Sequence, residues 1–389
     1  MDAVNVDGVN MDTVSKKIKA FDNVFVYGCG LYGQFLFENI VALETGKAIN
    51  FCETIPNYKS VLGAEVLSPE EILVKYPNAL FIIGSPANRE SMVPHLAALG
   101  VADSNIFSAF EIEKQFKLRK HPRLPNLLFT ITEHCNLNCA SCLKFASVSE
   151  KEFADLRTIK NDLIRLNEIF SGDIYSIGLF GGEPLLHPQI EDIVETVRQI
   201  LPNAIVSILT NGILLANMPE SFWKTIKKNN VCVYISRYPI NLDTNRIKKK
   251  AEAFGAYVKV SEFRKESWQK HILDLKGRCD PEESFIACPF ANGQCITISK
   301  GRLYPCITIN GARQFNQKFG QNLELTNEDS VDLYSDVTAQ DIFDFLASPV
   351  PFCRYCDIKK RRKIEWSLSK SEIGEFVEYP VLSVGEERE

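Results

Sequence analysis

The fold of this chain is decided by the stretch from Cys135 to Cys142, which reads CNLNCASC and follows an extended run at 126–132. Its cysteines, Cys135, Cys139 and Cys142, are spaced C-x3-C-x2-C and can supply three thiolates from one loop. Cubane iron–sulfur clusters normally take four cysteines, so three local ligands would leave one iron open. A structural zinc site is the alternative, but zinc needs four ligands in a closed tetrahedron and usually takes them in C-x2-C pairs.

Strands and helices alternate after this stretch. Apolar runs predict strands at 127–131, 176–180, 204–209 and 231–235, and an amphipathic helix at 153–170. Parallel α/β sheets bind ligands beyond the carboxyl ends of their strands, so the segments after these strands are expected to form one site. Those segments are the cysteine loop, Gly181-Gly182-Glu183-Pro184, Thr210-Asn211-Gly212 and Ser236-Arg237.

The cysteine loop and the GGEP sequence together resemble the radical S-adenosylmethionine (SAM) superfamily. In that family three cysteines hold a [4Fe-4S] cluster, SAM chelates the open iron, and an electron from the cluster breaks SAM to a 5′-deoxyadenosyl radical. The resemblance covers about residues 126–260 and implies a partial (β/α)6 barrel of the TIM type. Ser141 departs from the family, which usually carries an aromatic residue before the third cysteine.

The resemblance also assigns the contacts with SAM. The GGEP backbone accepts protons of the SAM ammonium group, and the next two strand ends contact the ribose or the carboxylate. The residues assigned in this way are Gly181, Gly182, Glu183, Pro184, Thr210, Asn211, Ser236 and Arg237. An ordinary turn at Asn211 and a surface charge at Arg237 are the alternatives. A flavodoxin- or ferredoxin-type protein is the implied electron donor.

A second set of cysteines follows residue 260, with the pattern C-x12-G-x4-C and a later C-x2-C. A hairpin is predicted between 295 and 309, with its turn at 299–301. The pattern resembles the shortened SPASM, or twitch, extension of radical SAM enzymes, which implies one auxiliary [4Fe-4S] cluster. A closed zinc site is the alternative. The four implied ligands are Cys288, Cys306, Cys353 and Cys356.

The remaining cysteines have less specific surroundings. Cys279 and Cys295 lie near the second set and are candidate spare ligands or hydrogen-atom donors, with a plain buried thiol as the alternative. Three further cysteines, in or beside apolar strands, are expected to be core residues. After Cys356 the sequence predicts a basic run and then a helix that continues to Phe376.

The chain begins with a different motif. A strand at 23–27 leads into G-x-G-x-x-G at Gly28, Gly30 and Gly33, a helix at 31–43 follows, and Glu53 ends a second strand. These features match the dinucleotide-binding fingerprint. They resemble Rossmann-like modules attached to sugar-modifying enzymes of polysaccharide pathways, which implies a nucleotide or nucleotide-sugar ligand. A glycine turn needed only for tight strand–helix packing is the alternative.

Composition sets the limits of these predictions. The 389 residues predict two or three domains, and the net charge of −5 gives no general reason to bind nucleic acid. No apolar run reaches the roughly 18 residues of a membrane span. Twelve cysteines without a secretion signal favour a reducing cytoplasm. We expect an α/β chain with a Rossmann-like domain at 1–110, a basic linker at 111–125, a radical SAM core at 126–260 and a cysteine-rich α+β extension at 261–389.

The expected function is an enzyme that abstracts hydrogen from carbon. The resemblance favours oxidation or epimerisation of a sugar, cyclitol or nucleotide-sugar type substrate. A peptide-modifying enzyme is the alternative within the family, although no leader-binding domain is recognisable in the sequence. A nucleotide- or redox-sensing iron–sulfur protein is the alternative from another class. The GGEP sequence with an open three-cysteine loop argues against a sensor, because a sensor does not need a SAM site.

Overall fold

The computed structural model of the protein describes residues 11–41, 45–54, 56, 59–84, 89–108, 124–261, 268–288, 290 and 295–378. Most of the predicted basic linker, 111–123, and the predicted end of the first long helix at Leu43 lie outside these residues. Among the described helices, none combines the length and the apolar character that a membrane crossing would need.

The first part of the chain forms a six-stranded sheet whose order is β3-β4-β2-β1-β5-β6. All its pairings are parallel except β3 with β4. The order β4-β2-β1-β5-β6 matches that of doubly wound dinucleotide-binding folds. The strands are β1 (Val24–Tyr27), β2 (Ile49–Cys52), β3 (Ser60–Val61), β4 (Ala64–Leu67), β5 (Leu80–Ile83) and β6 (Ile106–Ser108). The helices are α1 (Met11–Lys19), α2 (Leu31–Val41), α3 (Pro69–Lys75) and α4 (Arg89–Ala98).

The rest of the chain builds an eight-stranded sheet, of order β11-β10-β9-β8-β7-β13-β14-β15, and a two-stranded sheet of β12 with β16. The strands are β7 (Leu127–Thr132), β8 (Ser176–Gly181), β9 (Ile205–Thr210), β10 (Val231–Ile235), β11 (Tyr257–Val260), β12 (Trp268–Lys270), β13 (Thr297–Ser299), β14 (Arg302–Tyr304), β15 (Val331–Asp332) and β16 (Arg362–Ile364). The helices are α5 (Leu156–Ile169), α6 (Ile190–Ile200), α7 (Glu220–Lys228), α8 (Thr244–Ala253), α9 (Pro281–Ala287), α10 (Ile307–Phe319) and α11 (Ala339–Leu346).

Six strands of the larger sheet are mutually parallel, because β13 pairs with β7 in the same direction as β7 to β11 pair with one another. The α/β class and the parallel core are therefore confirmed. The predicted hairpin is also confirmed, since β13 and β14 are antiparallel and Ser299 pairs with Arg302. This hairpin continues the core sheet, so Cys306 of the second set follows a strand of the same sheet that carries the first set.

Packing explains why these segments take their form. Helix α5 begins at Asp155, whose side chain accepts a hydrogen bond from the N–H of Thr158, and it buries Ile159, Leu163 and Leu166. That stripe is the predicted amphipathic face, and it packs in the main core with alternate residues of β7 to β10. The loops that follow these strands lie outside this core and are left to build a site.

The predicted helix that continues to Phe376 is wrong. Residues 366–375, here called the C-terminal strap, instead lie along the cysteine loop. The N–H of Ala140 donates to the carbonyl of Ser367, and the N–H of Ser369 donates to that of Asn138. Within the strap only 373–375 form a short 3-10 turn. The strap's backbone groups are used by a loop distant in sequence, and local periodicity does not report such pairing.

Candidate functional site

The three cysteines of the first set line a cavity of about 390 Å³ at the carboxyl ends of β7 to β10. Gly181, Gly182, Thr210, Asn211 and Ser236 line the same cavity. The structure thus brings together the four strand ends that the sequence predicted would meet. Cys139 is buried, and Cys135 and Cys142 are half-buried.

The sulfurs of this set lie among hydrogen-bond donors and apolar groups. The N–H of Leu137 donates to Cys135 Sγ at 3.3 Å. Burial raises the pKa of Cys135 and of Cys139 to about 12, and it also raises that of Cys142, where the N–H groups of Ala146 and Lys144 act in the opposite direction. A bound metal removes thiol protons outright, so the three cysteines favour the thiolate form only when iron is present.

Gly181 and Gly182 are required by the backbone of the cysteine loop. Gly181 has φ +153°, and a Cβ there would overlap the carbonyl oxygen of Thr132. A Cβ at Gly182 would overlap that of His134. The N–H groups of Gly182 and Glu183 donate to those carbonyls at 2.7 and 3.0 Å. The glycines therefore hold β8 against the segment leading to Cys135, a role that resemblance alone did not reveal.

Glu183 connects two of the strand ends. Its buried carboxylate accepts hydrogen bonds from the Thr210 hydroxyl at 2.7 Å, the Asn211 N–H at 2.9 Å and the Leu185 N–H at 3.0 Å. Burial raises the pKa of this carboxyl to about 7, and the three donors counteract that effect. Pro184 follows as the first residue of a 3-10 turn. Glu183 thus orients the Thr210-Asn211 turn.

Asn211 reaches back to the cysteine loop. Its Nδ2 donates to Asn136 Oδ1 at 2.7 Å and lies 3.6 Å from Cys135 Sγ. Its Oδ1 accepts from the N–H of Ile213 at 3.0 Å. Every polar group of this amide is used, so Asn211 is more than an ordinary turn residue. A contact with SAM ribose stays a prediction.

Ser236 lines the cavity, whereas Arg237 is exposed and is not among the described residues that line it. The N–H of Arg237 donates to the Ser261 hydroxyl at 2.9 Å. Its predicted contact with SAM is not tested and stays a prediction.

Ser141, the residue that departs from the family pattern, fixes the cysteine loop to the C-terminal strap. It is buried with φ +56°, and its hydroxyl donates to the carbonyl of Glu375 at 2.6 Å. A left-handed backbone is unfavourable for a residue with a Cβ, so this tertiary hydrogen bond helps to hold it. Trp366, which belongs to the same strap, packs on Cys139 and Leu137.

Sequence reasoning missed several residues of the cavity wall. Lys144 lines the cavity, is 2% exposed, and forms an ion pair with Glu133, which is 5% exposed. Tyr238 also lines it, and burial raises the pKa of its phenol. In the sequence, Glu133 and Lys144 look like ordinary charged residues beside the cysteine motif, because no local signal marks two residues as a buried ion pair.

The second cysteine set lies in a different environment. Cys306 is the N-cap of α10, Cys353 lies in a 3-10 turn over 351–355, and Cys288 caps the end of α9. Cys306, Cys353 and Cys356 pack at the edge of an apolar cluster that includes Phe352. Burial raises the pKa of Cys356, and the thiolate charges of the other three would raise it further, which indicates that the four lie near one another.

Cys279 and Cys295 flank this set. Cys279 lines a separate cavity of about 290 Å³ with Cys356. Burial raises the pKa of Cys295 to about 12, with a further contribution from Cys288. Neither is among the described residues that line the cavity of the first set. Their predicted role as hydrogen-atom donors is not tested.

The donor set at each location fits thiolate ligation. Among the described residues, no three His, Cys, Asp or Glu side chains converge to hold a single metal ion. A cubane cluster instead takes one thiolate at each iron corner. Three thiols around a cavity fit such a cluster with one open corner, and four neighbouring thiols fit a fully ligated one.

The glycine motif of the first sheet makes contacts of its own. A Cβ at Gly33 would overlap the carbonyl oxygen of Gly28, whereas nothing lies within 4 Å of one at Gly30. The Glu53 carboxylate accepts a hydrogen bond from the N–H of Cys29 at 2.9 Å. Gly33 is therefore needed for strand–helix packing, and Glu53 binds the turn itself. A nucleotide at this turn stays a prediction.

Comparison with known families identifies the central part of the chain. Residues 129–272 match the Radical SAM superfamily, and this segment contains the first cysteine set, GGEP and the strand ends that line the cavity. The chain therefore contains a radical SAM domain, and the cofactors of that family are a [4Fe-4S] cluster and SAM.

Curated relatives match over about a quarter of the chain. Molybdenum cofactor biosynthesis protein 1 of Bos taurus is 37% identical over 92 residues, which cover 24% of this chain and 14% of that protein. GTP 3′,8-cyclase of Microcystis aeruginosa is 30% identical over 100 residues, which cover 25% of this chain and 30% of that protein. The chain thus spans less than a third of these two relatives.

Solved structures show weaker likeness. The crystal structure of BtrN in complex with AdoMet and 2-DOIA has 18% identity and a TM-score of 0.40, and the match covers 61% of this chain and 94% of that one. Streptococcus suis SuiB bound to S-adenosylmethionine has 19% identity and a TM-score of 0.30, over 46% of each chain.

Proposed function

We propose that this protein cleaves SAM reductively and abstracts a hydrogen atom from carbon in a sugar, cyclitol or nucleotide-sugar type substrate. The observation that carries the proposal is one cavity lined by all three cysteines of the first set and by the glycines of GGEP. When bound, a [4Fe-4S] cluster and SAM would supply the one-electron chemistry at this cavity. Cys135, Cys139 and Cys142 would hold the cluster.

The chain's own residues would orient SAM and limit water. Glu183 holds the Thr210-Asn211 turn at the cavity, and Asn211 lies between that turn and Cys135. Apolar side chains such as Leu137, Phe180 and Ile307 line much of the remaining surface. An enclosure of this kind protects a reactive intermediate from side reactions.

We further propose that the second cysteine set binds an auxiliary [4Fe-4S] cluster, and that the reaction is an oxidation. Loss of a hydrogen atom from an alcohol carbon leaves a radical that becomes a carbonyl group by giving up one electron and its hydroxyl proton. A fully ligated cluster would accept the electron, and water would take the proton. Epimerisation would need a hydrogen donor at the cavity. The positions of Cys279 and Cys295 outside the described lining support oxidation over that alternative.

The proposal is tested with anaerobically reconstituted full-length protein, SAM and a reductant. Release of 5′-deoxyadenosine without added substrate is expected, and candidate sugar nucleotides and cyclitols are then added to detect an oxidised product. Absence of 5′-deoxyadenosine from protein that carries its full iron content would contradict the proposal.

A further inference from the structure

A second, polar cavity adjoins the cluster cavity at the Glu133–Lys144 pair. It has a volume of about 620 Å³ and lies between the loop 147–152, the β13–β14 turn and the last two turns of α10. Glu133 lines this cavity and its partner Lys144 lines the cluster cavity, so the two cavities adjoin at this buried ion pair. We call it the Arg313 cavity.

The acidic groups of the Arg313 cavity already have partners. Glu133 is paired with Lys144, Glu150 accepts from Gln317 Nε2 at 3.1 Å, and Glu152 accepts from Lys300 Nζ at 2.5 Å. Two cations at the mouth differ from these, because within the described residues neither Arg313 nor Lys318 has a hydrogen-bond or ion-pair partner. The mouth of the cavity is therefore suited to an anion.

The floor of the cavity has unsatisfied polar atoms. Ser147 Oγ and Gln314 Oε1 are buried from solvent and have no hydrogen-bond partner in the described part of the chain. Buried polar atoms nearly always find partners, and unpaired ones cost free energy. Both belong to residues that line this cavity, so a rotation of either side chain would present its oxygen to a hydroxyl group of a bound molecule.

We infer that the Arg313 cavity binds the phosphate-bearing part of a polyhydroxylated substrate, of the sugar-phosphate or nucleotide-sugar type. Hydroxyl groups bind at Ser147, Gln314 and Glu133, and the phosphate binds between Arg313 and Lys318. Guanidinium and ammonium groups at an open rim are common phosphate ligands. The inference rests on the proposed function in taking the ligand as the sugar-type substrate, and it narrows that class to anionic molecules.

Isothermal titration calorimetry on the full-length protein without SAM tests the inference. Glucose 6-phosphate and UDP-glucose are titrated, with glucose and inorganic phosphate as probes of the two halves. We expect saturable binding of at least one of the phosphorylated sugars, at least tenfold tighter than that of glucose or inorganic phosphate. Inorganic phosphate that binds as tightly as both phosphorylated sugars would overturn the polyol part, and saturation by neither sugar would overturn the whole.

Two variants assign the binding to this cavity. The double variant Arg313→Gln, Lys318→Gln should weaken it at least tenfold, and Gln314→Met should weaken it about tenfold by removing a floor acceptor. The control Lys248→Gln, Lys249→Gln removes the same charge from the exposed face of α8 and should bind as wild type does. Unchanged binding by the first double variant would overturn the inference. Release of 5′-deoxyadenosine by wild type separates this result from failure of the proposed function.

Discussion

The two cysteine sets of this chain differ in what surrounds them. The first set supplies three thiols from one loop, and all three line a cavity. The second set supplies four thiols from three separate segments, and most of them pack against an apolar cluster. Three thiols at a cavity suit a cluster that binds a second molecule, whereas four thiols suit a cluster that only exchanges electrons. The proposed function assigns bond breaking to the first set and electron acceptance to the second.

The largest effect is expected from removing cysteines of the second set, and it separates SAM cleavage from substrate oxidation. The variant Cys353→Ala, Cys356→Ala should still release 5′-deoxyadenosine but form no oxidised product, because it lacks the electron acceptor. Iron per chain should fall from about eight to about four, as expected for loss of one of two four-iron clusters. Iron analysis and product chromatography measure these outcomes. Wild-type protein with about four irons and one zinc would instead favour a redox-neutral epimerisation.

The second largest effect is expected from breaking the Glu133–Lys144 pair beside the cluster cavity. Lys144→Met leaves the buried carboxylate of Glu133 without a partner, and breaking such a pair costs about 3–5 kcal/mol. The exposed pair of Lys224 with Glu220 is the control, and Lys224→Met should cost less than about 0.5 kcal/mol. Thermal unfolding measures both. Equal melting temperatures for the two variants would show that the Glu133–Lys144 pair contributes little.

The third largest effect is expected at helix α10, which lies between the two cysteine sets. Helix α10 begins at Cys306 of the second set, and a Cβ at its Gly311 would lie 2.5 Å from the carbonyl oxygen of Lys144. Gly311→Ala should therefore displace α10 from the cysteine loop at a cost of about 1–3 kcal/mol. Because both clusters would still assemble, SAM cleavage should continue with less oxidised product per 5′-deoxyadenosine. An unchanged ratio would show that α10 does not set the distance between the sets.

The smallest effect is expected away from both sets. At Gly30 a Cβ has open space, so Gly30→Ala should change the free energy of unfolding by less than about 0.5 kcal/mol. Gly33→Ala, in the same motif, should cost about 1–3 kcal/mol because its Cβ overlaps the carbonyl of Gly28. Equal losses at the two positions would contradict a packing role specific to Gly33.

The sequence could predict those features whose signals lie close together along the chain. The strand ends and the β13–β14 hairpin could be predicted, because apolar runs, turn residues and cysteine spacing lie within a few residues of one another. The strap was predicted as a helix, because its pairing partners at 138–140 are more than 200 residues away. The Glu133–Lys144 pair and the close approach of Gly182 to the carbonyl of His134 are also contacts that periodicity cannot report.

Cys135, Cys139 and Cys142 are proposed to hold the cluster at which SAM is cleaved. Chromatography of 5′-deoxyadenosine from reduced protein with SAM tests it directly, with wild type compared with the variant in which all three are alanine. We expect release by wild type, none by the variant, and a loss of about four irons per chain in the variant. Release of 5′-deoxyadenosine by the triple variant at the wild-type rate would contradict it.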